Sequence, residues 1–274
     1  MKYSVMPRER SSPRVFGRRL RRRAFTAALT AGLVLGLVAW LALPSASWLG
    51  RSGAGRLVAG AAELSQQARF VEALGELDRA VAADSSHAEA HFMRGVVLNR
   101  LGRRAEAAEE LEAAVSLEPA RVDAYVLLAR LYERAGRYDQ ALANALEAAR
   151  REPDRASAHR ALGLAYFGKG LYEQAIAAYE RAKRDPVEQG WVHNNLGYAY
   201  LLTGDLASAR RELERAVAAA PDNALARNNL WVTNERLGLL WEARREYIMA
   251  SRIDPSLPKP RANLAALALI LNRR

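Results

Sequence analysis

Hydrophobic and polar positions repeat along the chain with a period of 34 residues from residue 54 onward. Each period holds two stretches in which apolar residues recur at helical spacing, separated by a glycine near the middle. The six periods, called repeats 1 to 6 below, start at Ala54, Ala88, Val122, Ala156, Gly190 and Ala224, and a seventh half-period begins at Pro258. A fixed period of this length predicts stacked helix pairs that bury a core between neighbours.

Small residues recur at fixed positions of the repeat and indicate where helix backbones approach closely. Alanine occupies positions 20 and 27 of all six repeats, whereas leucine and tyrosine dominate positions 7 and 11. Glycine occupies position 15 in five repeats, where it tolerates the turn conformation that a Cβ atom opposes. Proline at position 32 of four repeats ends the second helix.

Repeat 4 shows the whole pattern in one register, with Leu162, Gly163, Tyr166, Gly170, Tyr172, Ala175, Tyr179 and Ala182. This pattern resembles the tetratricopeptide repeat family. The resemblance covers residues 54–257 and leaves 258–274 for a C-terminal capping helix. It implies an all-α fold, a right-handed α-solenoid of antiparallel helix pairs, whose concave face is lined by the first helices and binds partner peptides. Repeat 1 departs from the pattern with Ala68 at the turn, and repeat 6 with Trp231 and Asn234, so the helices of repeat 6 are expected to pack differently.

A basic tail and an uncharged segment precede the repeats. Residues 1–23 carry nine basic groups and one acidic group, and residues 24–43 carry no charge. Twenty helical residues span about 30 Å, the thickness of the hydrocarbon layer. The excess of arginine before the segment predicts a transmembrane helix with a cytoplasmic N-terminus. Residues 44–53 then form a linker, and in a bacterium the repeats would lie in the periplasm at the inner membrane.

Two further properties of this segment are left open by the sequence. Ser45-Ala46-Ser47 is a site that a signal peptidase could accept, and Arg22-Arg23 resembles a twin-arginine export signal, although the length of the apolar run favours an uncleaved anchor. Gly32 and Gly36 form a small-residue motif of the kind through which such helices dimerise in lipid, which leaves two interpretations open: a homodimer, or a segment in which Ala and Gly are simply frequent.

Charge and composition exclude several classes of function. The formal net charge is +11, but +8 of it lies in residues 1–23, so the body has no electrostatic footprint for nucleic acid. The chain has no cysteine and four histidines, of which His91, His159 and His193 share position 4 and are interpreted as packing residues. No nucleophile, acid–base pair or ligand cluster has suitable spacing, so we expect no enzyme activity, no catalytic residue, no metal and no cofactor.

On the geometry that the resemblance implies, positions 2, 5, 6, 9, 12 and 13 of each first helix face the groove. Asparagine occupies position 6 three times in succession, and amides both donate and accept hydrogen bonds, so such a ladder suits a peptide backbone. The sequence lacks the set of Lys, Asn and Arg residues that the carboxylate clamp of chaperone-binding members requires. The candidate peptide-binding residues are Arg130, Arg160, Trp191, Asn194, Asn195, Tyr198, Asn228, Asn229 and Asn263.

These features together predict a non-enzymatic, membrane-anchored scaffold that binds partner proteins or extended peptides. The chain has 37 Arg and 4 Lys, a composition typical of GC-rich bacterial genomes, so envelope assembly, secretion or pilus biogenesis is the expected setting. The alternative is a regulatory or substrate-recruiting repeat subunit that acts in trans with an envelope enzyme such as a glycosyltransferase.

Overall fold

The computed structural model describes residues 53–183 and 189–256, and within them the chain forms twelve α-helices. The helices follow the six repeats as successive pairs: α1 (Gly53–Gln66), α2 (Phe70–Ala83), α3 (Ala88–Arg100), α4 (Arg104–Leu117), α5 (Val122–Arg134), α6 (Tyr138–Arg151), α7 (Ala156–Gly168), α8 (Tyr172–Ala182), α9 (Gln189–Thr203), α10 (Leu206–Ala219), α11 (Ala224–Arg236) and α12 (Leu240–Ile253). Each pair packs together, and each second helix packs on the first helix of the next repeat. The described residues therefore form an all-α solenoid, as predicted.

The alanines at positions 20 and 27 lie in the centre of this packing. Ala73 and Ala80 of repeat 1 are fully buried, and the equivalent alanines of the other repeats are buried equally well. Small side chains there allow the backbones of neighbouring helices to approach, and the leucines and tyrosines between them fill the remaining space. The prediction of close helix contacts at these positions is confirmed.

The turn within each repeat requires a residue with a positive φ angle. The five glycines at position 15 have φ angles between 73° and 91°, a region that L-residues rarely adopt. Ala68 takes the same place in repeat 1 with φ of 59°. Repeat 1 therefore keeps the turn geometry of the other repeats at the expense of a strained alanine.

Glycine at position 8 makes room for the side chain at position 24 of the same repeat. A Cβ atom on Gly163 would lie 2.3 Å from Tyr179 Cε1, and one on Gly197 would lie 2.5 Å from Leu213 Cγ. Repeat 6 solves the same contact differently, because Trp231 replaces the glycine and its ring packs edge-on against Tyr247 with 5.2 Å between centroids. The departure predicted for repeat 6 is therefore visible in its packing.

Several predictions fall on residues outside the described part of the chain. These are the basic tail 1–23, the apolar segment 24–43 with Gly32 and Gly36, the cleavage site near Ser47, the residue Asn263 and the C-terminal helix within 258–274. Among the residues that are described, no helix has the length and apolar character that crossing a membrane demands.

Candidate functional site

The candidate site lies on the first helices α3, α5, α7, α9 and α11. We call their residues at positions 2, 5, 6, 9, 12 and 13 the groove surface. It has three parts, which differ in chemistry along the chain: an arginine-rich part in repeats 2 and 3, an aromatic part in repeats 4 and 5, and an asparagine-rich part in repeats 5 and 6.

Two of the predicted asparagines bond to each other across the boundary between repeats. Asn194 and Asn229 are 5% and 6% exposed, and Asn229 Nδ2 donates to Asn194 Oδ1 at 3.0 Å. This contact ties α9 to α11 and removes much of both side chains from solvent. The ladder expected at position 6 is therefore not a row of equivalent exposed amides, because Asn229 is used within the fold.

The two neighbouring asparagines keep unused hydrogen-bonding atoms. Asn195 Oδ1 accepts a weak hydrogen bond of 3.4 Å from Asn194 Nδ2, but Asn195 Nδ2 is buried and has no partner among the described residues. Asn228 Oδ1 is likewise buried and unpartnered in the described part of the structure. The site thus offers one spare donor and one spare acceptor on adjacent first helices.

Aromatic side chains form the next part of the surface. Trp191 and Tyr198 of α9 are 39% and 37% exposed, so part of each ring is accessible to a ligand. Tyr198 packs against Phe167 of α7 with ring centroids 5.5 Å apart, and the Arg160 guanidinium lies 5.8 Å from the centre of the Trp191 ring. Trp191 also contacts the buried Tyr179 edge-on at 6.3 Å, so its orientation is fixed by the core of repeat 4.

The basic residues of the surface in repeats 2 and 3 are Arg100, Arg130 and Arg134, and the other positions there are apolar, acidic or amide. Arg130 of α5 is half-buried, and burial lowers its pKa, with Glu133 opposing this shift and the nearby Arg100 adding to it. Burial also lowers the pKa of Arg134, and Arg130 and Arg104 add to that effect. Glu133 is the acidic neighbour of this group, and burial raises the pKa of its carboxyl against the influence of both arginines.

Comparison with models of known protein families identifies the family of these repeats. A tetratricopeptide repeat model matches residues 58–125 and 126–188, and a second model of the same repeat matches residues 166–230. The chain belongs to the tetratricopeptide repeat family. Tetratricopeptide repeat proteins bind peptide or protein partners, and this chain has their interaction-scaffold fold.

Solved tetratricopeptide repeat structures share the fold. PilF of Pseudomonas aeruginosa aligns with a TM-score of 0.68 and 19% identity, over 78% of this chain and 97% of that one. YrrB, described as a TPR protein with an unusual peptide-binding site, aligns with a TM-score of 0.57 and 18% identity, over 72% of this chain and 98% of that one. A thermophilic TPR protein of Thermus thermophilus aligns with a TM-score of 0.51 and 27% identity, over 66% and 99% of the two chains. No curated protein sequence matches the chain.

The tetratricopeptide repeats of this chain also contain polar pairs that sequence reasoning missed. His193 Nδ1 lies 2.7 Å from Glu212 Oε2, and Arg227 Nη1 lies 2.6 Å from Glu246 Oε2. Both pairs join position 4 of a first helix to position 23 of the second helix, and His91 with Glu110 forms a third pair at 2.8 Å. His193 thus holds the buried carboxylate of Glu212, His91 holds the partly buried carboxylate of Glu110, and the buried His159 bonds instead to the Pro153 carbonyl. Glutamate at position 23 in these repeats was the signal that could have found them.

The chemistry of the described residues favours binding. Among them no group of three or more His, Asp and Glu side chains is placed to hold a metal ion. The unusual atoms of the surface are an amide donor, an amide acceptor, two exposed rings and a set of guanidinium groups. These groups recognise a polypeptide through hydrogen bonds, apolar contact and charge.

Proposed function

We propose that the protein is a non-enzymatic, membrane-anchored scaffold that holds an extended segment of a partner protein on the groove surface of a right-handed tetratricopeptide solenoid. The observation that carries this proposal is the pair of unpartnered buried atoms Asn195 Nδ2 and Asn228 Oδ1. A buried polar atom without a partner destabilises a protein by about 1–3 kcal/mol. Both residues are half-buried overall, so rotation of each amide about its Cβ–Cγ bond would present these atoms to an extended peptide backbone, whose C=O and N–H groups would satisfy them.

The surrounding residues support this role. The bond between Asn194 and Asn229 fixes α9 against α11, so it would position Asn195 and Asn228 for a ligand. Trp191 and Tyr198 would cover apolar parts of the bound segment, and aromatic side chains of this kind often dominate binding energy. Asn263 lies one repeat period after Asn229 in the sequence, outside the described residues, and would continue the site.

The proposal is tested by replacing the two asparagines together. The variant Asn195→Ala/Asn228→Ala should weaken binding to peptides selected on the native chain by about tenfold or more, since two hydrogen bonds and their geometry are lost. Asn144→Ala is the control, because Asn144 lies on the second helix α6, away from the groove surface, and among the described residues its amide donates to the Gln140 carbonyl of the same helix. Equal affinities for native and double-variant chains, with unchanged helicity, would refute the role of these amides.

The cellular setting is a separate part of the proposal. The basic tail followed by the uncharged segment 24–43 supports a single anchor in a bacterial inner membrane with periplasmic repeats, and envelope assembly, secretion or pilus biogenesis as the process served. A C-terminally tagged full chain should then remain with membranes and become accessible to protease in spheroplasts. A shortened soluble product would instead show cleavage near Ser47, and protected repeats would reverse the orientation.

A further inference from the structure

The groove surface of repeats 2 and 3 carries positive charge that the described residues leave without a partner. Arg100, Arg130 and Arg134, called the arginine cluster below, make no ion pair or hydrogen bond within the described part of the chain. Other arginines of the same repeats behave differently: Arg94 bonds to Glu110 and Asp78, and Arg121 bonds to Glu89 and Glu118.

The acidic residues of the same surface are already used. Glu89, at position 2 of repeat 2, is bound by Arg121 Nη2 at 2.6 Å. Asp123, at position 2 of repeat 3, is bound by Arg155, which also bonds to Glu152. Among the described residues, Glu133 is the acidic residue that is close to the arginine cluster and not already bound by another arginine, and Glu133 forms no ion pair with the cluster. The surface therefore keeps a local excess of positive charge.

Two members of the arginine cluster lie at a small depression between first helices. Arg130 and Arg134 line a small cavity together with Asn99 of α3 and with Leu127 and Leu131 of α5. Guanidinium groups bind carboxylates through two parallel hydrogen bonds, and partial burial strengthens such contacts relative to the open surface. The leucines favour an aliphatic stem or an apolar neighbour beside the carboxylate. The depression has room for about one water molecule, so a Glu or Asp carboxylate would dock at its rim, across the guanidinium groups.

We propose that the partner segment is acidic, and that one or two of its Glu or Asp side chains dock on the arginine cluster while its backbone continues to the asparagines of repeats 5 and 6. This inference rests on the proposed function and adds the chemical class of the partner. A nucleic acid or a lipid surface would need a broad basic face, whereas the chain after residue 23 has a net charge of only +3.

The test is a selection from a display library of short random peptides on the purified full chain in mild detergent. Peptides enriched on the native chain should contain more Glu and Asp than the starting library. Their affinity for Arg130→Ala/Arg134→Ala should fall by about tenfold or more, because each charge-assisted hydrogen bond removed contributes appreciably to binding. Replacing Glu by Gln in the best peptide should produce the same loss on the native chain.

A charge-matched control separates the site from net charge. Arg79→Ala/Arg150→Ala removes two exposed guanidinium groups from the second helices α2 and α6 and should leave the affinity within about twofold. Arg130→Glu/Arg134→Glu should select peptides rich in Lys and Arg instead, while circular dichroism confirms that the variant is folded.

The possible outcomes distinguish this inference from the proposed function. Enrichment of peptides without acidic bias, whose binding still depends on Asn195 and Asn228, would overturn the inference and leave the scaffold function intact. Acidic enrichment that is equally strong on Arg130→Glu/Arg134→Glu would overturn it too. Failure of any peptide to enrich would count against both.

Discussion

Replacing Gly163 by alanine tests the packing that orients the aromatic part of the site. The added Cβ atom would lie 2.3 Å from Tyr179 Cε1 and 2.4 Å from Tyr179 Cδ1, well inside normal contact distance. Tyr179 is fully buried and supports Trp191, so its ring has little room to move. Overpacking of a well-filled core destabilises proteins by about 1–3 kcal/mol. A 2.3 Å approach to a buried ring places the cost near the upper end of that range, and alanine recovers at most about 1 kcal/mol of helix propensity, so we expect a net loss of about 2 kcal/mol.

Gly75→Ala is the matched control for this prediction. Gly75 lies in the middle of α2, is exposed, and has no atom within 4 Å of the position that its Cβ would take. The same substitution there should stabilise the protein by about 0.5–1 kcal/mol, because glycine loses more backbone entropy than alanine on folding. The two variants should therefore shift the unfolding transition in opposite directions.

Urea unfolding followed by circular dichroism measures both effects, with thermal scans as a second readout. Repeat arrays need not unfold in one step, so midpoints and slopes should be compared side by side. In a Tyr179→Ala background, Gly163→Ala should become neutral or stabilising, as repeat 3 already pairs Ala129 with Ala145. A Gly163→Ala protein as stable as the native chain would refute the packing argument, and so would destabilisation by Gly75→Ala.

Three further predictions concern the fold. Ala68→Gly should raise stability by about 1 kcal/mol in urea titrations, because its φ of 59° is strained for alanine, and a lower midpoint would contradict this. Burial and neighbouring carboxylates raise the pKa of Tyr132 and Tyr200 to about 12. The stability that these two hydroxyl groups contribute is therefore fully present below about pH 10, the pKa of tyrosine in the unfolded chain, and should be lost as pH rises towards 12. Replacing both tyrosines by Phe should make the free energy of unfolding less dependent on pH between about pH 10 and pH 12. An unchanged pH profile would show that other groups control the loss of stability at alkaline pH. Burial alone would raise the pKa of Glu212, but His193 and nearby cations outweigh burial and hold this pKa below its usual value. The stability that the Glu212 carboxylate contributes should therefore be present above about pH 4.5 and be lost at lower pH. In Glu212→Gln the loss of stability with falling pH should be less steep.

The repeat architecture follows from local sequence because each position of the period has one mechanical requirement. Alanine at positions 20 and 27 indicates that helix backbones lie close together, and glycine at position 15 indicates a positive φ angle. Both features can therefore be predicted from the sequence, and the structure has them. Even Ala68 was recognisable as the residue that replaces the turn glycine. Periodicity predicts such features because every repeat samples the same environment.

The details of the site were less predictable because they depend on contacts between different repeats. The bond between Asn194 and Asn229 joins residues 35 positions apart, and nothing in the repeated Asn-Asn pair shows which amides it uses. Asn195 Nδ2 and Asn228 Oδ1 are left without partners because the neighbouring amides of Asn194 and Asn229 bond to each other. Likewise, nothing in the sequence shows that Arg121 and Arg155 form ion pairs with Glu89 and Asp123 while the arginine cluster forms none.

The central claim is that the groove surface holds a partner, and site-specific photo-crosslinking in cells tests it most directly. A photoreactive phenylalanine analogue placed at Tyr198 should yield a discrete protein adduct, and the same analogue at the exposed outer residue Val71 should not. The adduct should disappear when Asn195 and Asn228 are replaced by alanine. Equal adducts from both positions, or an adduct at Tyr198 that persists in the asparagine variant, would contradict the account.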